Sequence, residues 1–217
     1  MSLKVEIVMV TPFQQNCSVI WCTETKEAAV VDAGGDIEQI MAVINKHSLN
    51  VKQLLLTHGH LDHAGGAKPL SEKLSVPIIG PGIEDKYWLD DITTHSKNYG
   101  MTGMYSCTPD QWLQDKQQVQ VGKQTLDVYH CPGHTPGHVI FHNKESHLAF
   151  VGDVLFKGSI GRTDFPGGDH ATLLNSIKTQ LWPLGGETQF ISGHGEISDF
   201  KTERATNPFV ADSVLGT

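Results

Sequence analysis

The amino-acid sequence predicts an α/β protein in which two β-sheets lie face to face and helices cover their outer faces. Short apolar runs with strand character occur in both halves of the 217-residue chain. Segments with apolar residues at helical spacing separate several of these runs. Neither a low-complexity linker nor a short-period repeat interrupts the pattern, so residues 1–217 are expected to form one domain.

The first half of the chain is predicted to begin with three strands, at LKVEIVMV, CSVIWC and AAVVDAGG. In DIEQIMAVINKH the apolar residues recur at helical spacing, and Asp36 is placed to cap the helix. The run VKQLLLTH predicts a strand buried on both faces, because its end is continuously apolar. A short helix at GAKPLSEKLS and a strand at VPII complete this half.

The second half begins with a segment of different composition. Residues 80–116 are rich in aromatic residues and methionine but poorly periodic, which predicts an insertion of helical pieces and loops. After it, strands are predicted to return, followed by one helix and a last strand. The strand runs are QQVQV, QTLDVYH, HVIFHN, SHLAFVGD and TQFISG, and the helix before the last of them is ATLLNSIKTQLWPL.

Composition argues against several classes of protein. The net charge of −8 at pH 7 disfavours sequence-independent binding to nucleic acid, which depends on basic surface. No apolar stretch approaches the roughly 20 residues of a membrane-spanning helix, so no membrane partner is expected. The N-terminal run contains Lys4 and Glu6, unlike a signal-peptide core, so a cytoplasmic location is expected. The four cysteines form no CxxC pair and are expected to be small buried apolar residues.

The stretch LLLTHGHLDHAGG places His58, His60, Asp62 and His63 directly behind an apolar strand. Strand ends hold side chains on loops above a rigid scaffold, where binding sites are common. In an extended segment, residues 58, 60 and 62 point to one side and residue 63 points elsewhere, so one loop can supply two adjacent centres. Imidazole and carboxylate groups bind zinc, iron or manganese, which predicts a metal site here.

Three later stretches each place a histidine or an aspartate just past an apolar run. CPGHTPGH contains His134, FVGDVLF contains Asp153, and FISGHGE contains His194. This repeated placement is expected to bring all the potential ligands to one edge of the sheets. The sequence therefore predicts a metal centre assembled from the ends of several strands.

The ordered motifs VVDAGG, THGHLDHAGG, PGHTPGH, GD and SGHG resemble those of the metallo-β-lactamase superfamily over nearly the whole chain. The resemblance implies an αββα sandwich of two mixed sheets with a metal site at one edge. Asp32 is the implied partner that orients an imidazole ligand, and Asp62 and Asp153 are the implied catalytic carboxylates. The implied ligands are His58, His60 and His134 for the first metal, Asp62, His63 and His194 for the second, and Asp153 as a bridge between both, together with a hydroxide.

Within the superfamily, the HxHxDH pattern and the stretch GDVLFKGSIGRTDFPGGDH resemble glyoxalase II, particularly its short bacterial branch. The resemblance implies a hydrolase of the thioester S-lactoylglutathione that uses two divalent ions, with zinc preferred over iron or manganese. Longer glyoxalase II proteins carry a C-terminal helical domain that helps to bind glutathione. Only the short stretch 195–217 follows His194, so no such separate domain is expected.

Local positive groups are expected to receive the carboxylates of glutathione, because the protein is acidic overall. Lys157 and Arg162 follow the bridging aspartate in KGSIGR and are expected to bind the substrate. Aromatic residues of the insertion are expected to form the opposite wall, namely Tyr87, Trp88, Tyr99 or Tyr105. His138 and His170 are expected to be structural or rim residues, since two metals need no further ligand. The sequence does not decide the oligomeric state.

Other activities fit parts of the same pattern. A glutathione persulfide dioxygenase with a single iron shares much of the metal motif and is the main alternative. Another hydrolase of the same fold, such as a β-lactamase, fits less well because of Asp153 and the absence of an export-signal pattern. The charge disfavours a nuclease, and a redox di-iron domain would carry a carboxylate in place of His60. A protein that binds metal or a partner without catalysis is the remaining alternative, and the complete ligand set argues against it.

Overall fold

In the computed structural model, which describes residues 2–216, the N-terminal strands form a mixed sheet. Strand order in the sheet follows the chain, with antiparallel pairing among the first three strands and parallel pairing from the third to the fifth. The predicted strand runs are confirmed, although the last one shrinks to two residues. The strands are β1 (Leu3–Val10), β2 (Gln15–Cys22), β3 (Glu27–Val31), β4 (Asn50–Leu55) and β5 (Ile78–Ile79).

The second half of the chain supplies another mixed sheet and a small hairpin. Its strands are β6 (Gln118–Val121), β7 (Gln124–His130), β8 (Val139–Asn143), β9 (Leu148–Gly152), β10 (Leu155–Phe156), β11 (Ser159–Ile160), β12 (Gln189–Ser192) and β13 (Ser198–Asp199). The sheet has the order β13-β12-β9-β8-β7-β6, in which β12 and β9 run parallel. The strands β10 and β11 pair only with each other among the described residues, in a hairpin that sequence analysis did not predict.

Helices cover the outer faces of both sheets. They are α1 (Ile37–Lys46), α2 (Leu61–Ala64), α3 (Ala67–Leu74), α4 (Lys86–Asn98), α5 (His170–Ser176), α6 (Phe200–Thr206) and α7 (Asp212–Leu215). A 3-10 turn, Ile83–Asp85, leads into α4, and the rest of residues 80–116 is largely irregular. Within residues 2–216, no helix combines the length and the apolar character that crossing a bilayer requires.

The two-residue period of the strands divides their side chains between layers. In β8, Phe141 points into the space between the sheets, where it joins Phe150 of β9 and Ile20 of β2. The intervening Ile140 points the other way and joins an outer cluster with Leu173 of α5. A third cluster lies between the first sheet and the helices of the first half. The predicted αββα arrangement is therefore confirmed.

Hydrogen bonds between the two sheets lie at the edge where the metal-binding motifs end. The backbone N–H of Val139 in β8 donates to Thr57 O, just past β4, at 2.8 Å. The backbone N–H of Asn16 in β2 donates to Gly193 O, just past β12, at 2.7 Å. These bonds connect the two sheets, so side chains from both halves of the chain are held at one edge.

Three further details differ from the sequence-based expectations. Asp36 precedes α1 but makes no capping bond, because its carboxylate instead accepts the backbone N–H of Thr11 at 2.7 Å. The predicted helix at 171–184 is a composite of α5, a π-helical turn (Ile177–Leu181) and a 3-10 turn (Trp182–Leu184). The helices α6 and α7 were not predicted. All four cysteines are buried free thiols, as expected.

Candidate metal centre

The HxHxDH loop divides between two sets of side chains because α2 begins within it. His58 and His60 lie on extended backbone after β4, whereas Asp62 and His63 lie on the single helical turn of α2. The loop therefore contributes to two adjacent groups of side chains, and Asp62 accompanies His63. The expectation that residue 62 shares a side with residues 58 and 60 is wrong, because the helical turn replaces the extended geometry on which it rested.

Three ring nitrogens converge in a first group, formed by His58, His60 and His134. The Nδ1 atom of His60 lies 3.1 Å from Nε2 of His58 and 3.0 Å from Nε2 of His134. Two ligand atoms about 2.1 Å from a zinc ion lie roughly 3.4 Å apart at the tetrahedral angle, so these separations suit ligands of one ion. Burial lowers the pKa of all three rings, that of His60 to about 3, so the nitrogens are neutral and free to coordinate.

Outer hydrogen bonds select the tautomers of the first group. His134 Nδ1 donates to the carbonyl oxygen of Arg162 at 2.7 Å, which leaves the Nε2 lone pair for the group. The hydroxyl of Thr57 donates to Asp32, so its oxygen accepts from His58 Nδ1 at 3.0 Å. These partners therefore leave Nε2 of both rings available for coordination.

The second group consists of Asp62, His63 and His194. Asp62 Oδ2 lies 3.1 Å from His194 Nε2 and 3.9 Å from His63 Nε2. Burial opposes charge on His63, but the carboxylates of Asp153, Asp62 and Asp32 outweigh it and raise the pKa of this ring well above its usual value. Since a ligating histidine must be neutral, a metal ion in the second group would displace a proton.

Asp153 lies between the two groups. Its Oδ1 atom is 3.3 Å from His63 Nε2, and its Oδ2 atom is 3.5 Å from His134 Nε2 and 3.8 Å from His194 Nε2. Burial would raise the pKa of Asp153, yet the neighbouring histidines, His63 foremost, lower it. The carboxylate is therefore ionised and reaches toward both groups.

The donor set fits divalent metal ions. Among the described residues, the buried Asp153 Oδ1 and His63 Nε2 atoms, which lie 3.3 Å apart, form no hydrogen bond with each other or with another group. Buried polar groups without partners are costly unless another ligand satisfies them. Nitrogen and carboxylate donors at these separations are the ligands that zinc, iron and manganese accept, so the groups can hold divalent ions.

Further buried groups hold the loops in place. Asp32 accepts hydrogen bonds from His63 Nδ1 and from Thr57, which confirms its expected role. His138 is buried, stacks on His58 and accepts the backbone N–H of Asp153 at 3.1 Å, whereas His170 is exposed at the start of α5. Neither His138 nor His170 joins the two groups.

Sequence analysis missed Asp85, whose buried carboxylate accepts bonds from Gly59, Thr135 and Gly137. Burial raises its pKa to about 6, although these three donors oppose the shift. Its position, directly before the helix α4, is that of an ordinary helix cap. The sequence therefore carried no signal for this contact.

The groups open into a cleft of about 1020 Å³, and several aromatic side chains contribute to its walls. Trp88 and Phe165 pack against His60 with centroid separations of 4.5 and 4.9 Å and thereby cover the first group. Tyr87 and Tyr99 also line the cleft, as expected, whereas Tyr105 lies outside its lining. Sequence analysis missed Phe165, because no local pattern relates it to the histidines.

Lys157 and Arg162 line the cleft on the side of the β10–β11 hairpin. Both are exposed and paired with acids: Lys157 with Glu196, and Arg162 with Asp164 through bonds of 2.7 and 2.6 Å. Arg162 also stacks on the ring of Phe165, 4.2 Å from its centroid. The structure thus brings both cations to the cleft, but each already has an anionic partner.

Comparisons with known proteins agree with this arrangement. The sequence model of the metallo-beta-lactamase superfamily matches residues 10–194. A hydroxyacylglutathione hydrolase of Haemophilus influenzae, GloC, is 43% identical over 209 residues, which cover 96% of this chain and 98% of that protein. These matches extend over nearly the whole chain and include every residue of the two groups.

Solved structures show the same fold. The B3 metallo-beta-lactamase BLEG-1 superimposes with a TM-score of 0.88 and 34% identity, over 95% of this chain and 99% of that one. The protein TTHA1623, in a di-iron-bound form, superimposes with a TM-score of 0.86 and 33% identity, over 95% of this chain and all of the other. The chain therefore belongs to the metallo-β-lactamase superfamily and is a metal-dependent hydrolase of that superfamily.

Proposed function

We propose that this protein hydrolyses thioesters, with S-lactoylglutathione as the substrate and lactate and glutathione as the products. The observation that carries the proposal is the position of Asp153, which lies 3.3 Å from His63 in one group and 3.5 Å from His134 in the other. Such a carboxylate suits a pair of metal ions that act on one carbonyl group. The similarity to a hydroxyacylglutathione hydrolase over nearly the whole chain supports this choice of substrate.

The proposed ligands follow from the two groups. His58, His60 and His134 would hold the first ion, Asp62, His63 and His194 would hold the second, and Asp153 would serve both. Zinc is the proposed metal because it accepts this mixture of nitrogen and carboxylate donors. Iron and manganese accept the same donors, and the similar TTHA1623 binds two irons.

Two bound metal ions would lower the pKa of water to about 7 and so supply hydroxide to the thioester carbonyl at neutral pH. The chain's own residues set the geometry of this reaction. Asp153 holds the two groups together, and Asp62 adds a second negative charge beside His194. Trp88 and Phe165 exclude water from the side of His60.

The leaving group needs little help from the protein. A thiol with a pKa of about 8.5 departs as the thiolate without a strong general acid. None of the four cysteines lines the cleft, so no cysteine nucleophile is proposed. Catalysis thus rests on the metal ligands and on how the cleft orients the thioester.

Lys157 and Arg162 are proposed to receive the carboxylates of the glutathione moiety. The cleft is also lined by Tyr87, Trp88 and Tyr99, which are proposed to contact the apolar parts of the substrate. Because Arg162 and Lys157 already form ion pairs with acidic side chains, an anionic substrate must compete with those acids. The acidic partners are Asp164 and Glu196.

Thiol release from S-lactoylglutathione by the zinc-loaded protein tests the proposal. Release should depend on metal and disappear with a chelator, and elemental analysis should find about two ions per chain. Oxygen consumption with glutathione persulfide and opening of a β-lactam ring are the parallel assays. No thiol release together with activity in either parallel assay would overturn the proposed substrate. A stoichiometry of one ion after loading would overturn the two-metal assignment.

A further inference from the structure

Asp85 occupies the position of a helix cap but does not cap its helix. It ends the 3-10 turn at Ile83–Asp85 and directly precedes α4, yet its side chain makes no capping bond. The residue is completely buried. Aspartate in this position commonly accepts an N–H group of the first helical turn. Its carboxylate is instead bonded to other segments of the chain.

Three donors from two metal-binding loops converge on this carboxylate. The backbone N–H of Gly59 donates to Oδ2 at 2.9 Å, between the ligands of the HxH motif. The hydroxyl of Thr135 donates to Oδ2 at 2.7 Å, and the backbone N–H of Gly137 donates to Oδ1 at 2.6 Å. Asp85 therefore connects the loop of His58 and His60 to the loop of His134.

The two loops approach the segment around Asp85 so closely that a side chain would not fit. A Cβ atom at Gly59 would lie 2.7 Å from Trp88 Cβ and 3.0 Å from Asp85 O. A Cβ atom at Gly137 would lie 2.6 Å from Asp85 N. The backbone N–H of Gly82 also donates to Gly137 O at 2.8 Å. Close backbone contacts, as well as the Asp85 carboxylate, therefore hold both loops against the segment around Asp85.

We propose that Asp85 is a positioning residue for the first metal ion, because it fixes the relative placement of the loops that carry His58, His60 and His134. The hydrogen bonds of its carboxylate involve no proposed ligand atom, and Asp85 is not among the residues that line the cleft. This inference rests on the proposed ligand set and adds a residue of the 80–116 segment to the metal site. Partners that orient metal ligands commonly change metal affinity by about 10–100-fold when removed.

The substitution Asp85→Asn separates this role from a general contribution to stability. Asparagine keeps the shape of the side chain, but its NH₂ group must face one of the three donors, so at least one bond is lost. A matched control is Glu203→Gln. Glu203 is also buried and accepts three bonds, from Gly158, Ser198 and Asn207, but it touches neither metal-binding loop.

The experiment is a competition titration of each protein with Zn²⁺ and a chelator, together with the visible spectrum of the Co²⁺-loaded form and thermal unfolding. In Asp85→Asn, one of the two ions should bind about 10–100-fold more weakly and the Co²⁺ bands of that site should change. Glu203→Gln should retain both metal affinities and the wild-type Co²⁺ spectrum, even if its melting temperature falls as far as that of Asp85→Asn.

Wild-type metal affinity and Co²⁺ bands in Asp85→Asn would overturn the proposal. If this variant does not fold, two variants of Thr135 replace it. Thr135→Val removes the hydroxyl that donates to Asp85, whereas Thr135→Ser keeps it. Weaker metal binding in Thr135→Val than in Thr135→Ser would support the proposal, and equal metal affinities would overturn it. None of these measurements uses a thioester, so a wrong substrate assignment leaves their outcome unchanged.

Discussion

The Oδ2 atom of Asp32 lies 2.9 Å from Nδ1 of His63, and both side chains are buried. The carboxylate oxygen accepts, so Nδ1 carries the hydrogen and Nε2 faces the second group. The same oxygen accepts the hydroxyl of Thr57, whose own oxygen accepts from His58 Nδ1. One carboxylate thus helps to select a tautomer in each of the two groups.

Asp32→Asn should weaken metal binding in the second group. The amide NH₂ can donate to Nδ1, which favours the tautomer with hydrogen on Nε2, where the metal must bind. We expect about a 10–100-fold loss of affinity for one ion, measured by competition with a chelator. Asp36→Asn is the control, because the Asp36 carboxylate accepts the backbone N–H of Thr11 and belongs to neither group. Equal metal affinities in the two variants would contradict the assignment.

Gly34→Ala should disrupt the second group through backbone contact. A Cβ atom at Gly34 would lie 1.6 Å from the carbonyl oxygen of Asp62, so the turn that carries Asp62 and His63 must move. The adjacent Gly35→Ala is a matched control, since its Cβ would meet only side-chain atoms, at 3.0 Å and beyond. Elemental analysis should find one ion fewer in the first variant than in the second. Full metal content in Gly34→Ala would mean that the loop adapts without losing its ligands.

Asp153→Ala should abolish most hydrolysis while the fold persists. The variant loses the carboxylate that reaches both groups, so turnover should fall by at least about 100-fold. Thiol release measures this loss, and circular dichroism with thermal unfolding checks the fold. Turnover at the wild-type rate would refute the bridging role of Asp153.

Arg162→Ala should raise KM for an anionic glutathione thioester by about 10-fold and change kcat less. The reciprocal variant Asp164→Asn should lower KM, because it releases Arg162 from its present partner. A neutral thioester is the control substrate and should respond little to either change. Equal losses for both substrates in Arg162→Ala would mean that the residue supports the loop, whose carbonyl group orients His134.

Local sequence patterns were sufficient to predict most of the strands and helices of the fold. The run QTLDVYH coincides with β7, and AKPLSEKL within the predicted GAKPLSEKLS forms α3. The αββα layering also followed from the sequence, once its motifs had been matched to a family. The short helices α6 and α7 were not predicted, because their few apolar residues do not establish a helical period. The expectations of a single domain, a cytoplasmic location and the absence of nucleic-acid partners stay predictions.

The seven potential metal ligands were also predictable, because histidine and aspartate behind apolar strands are recognisable one by one. Their division into two groups was only partly predictable, since it depends on the point at which α2 begins. Asp85 and Phe165 could not be found from local sequence, because their partners lie far away along the chain. The ion pair between Arg162 and Asp164, two residues later, could not be predicted either, since the local sequence does not specify which way each side chain points.

The sequence by itself determined which groups are present and which of them follow a strand, because periodicity and side-chain chemistry are local properties. The tertiary structure decided which atoms meet. The alignment of β3 with β4 brings Asp32 to Thr57, and the alignment of β9 with β12 brings Gly152 to Gly193. Distances of about 3 Å between ligand atoms depend on this alignment and on tight backbone contact, and both arise only when distant segments pack together.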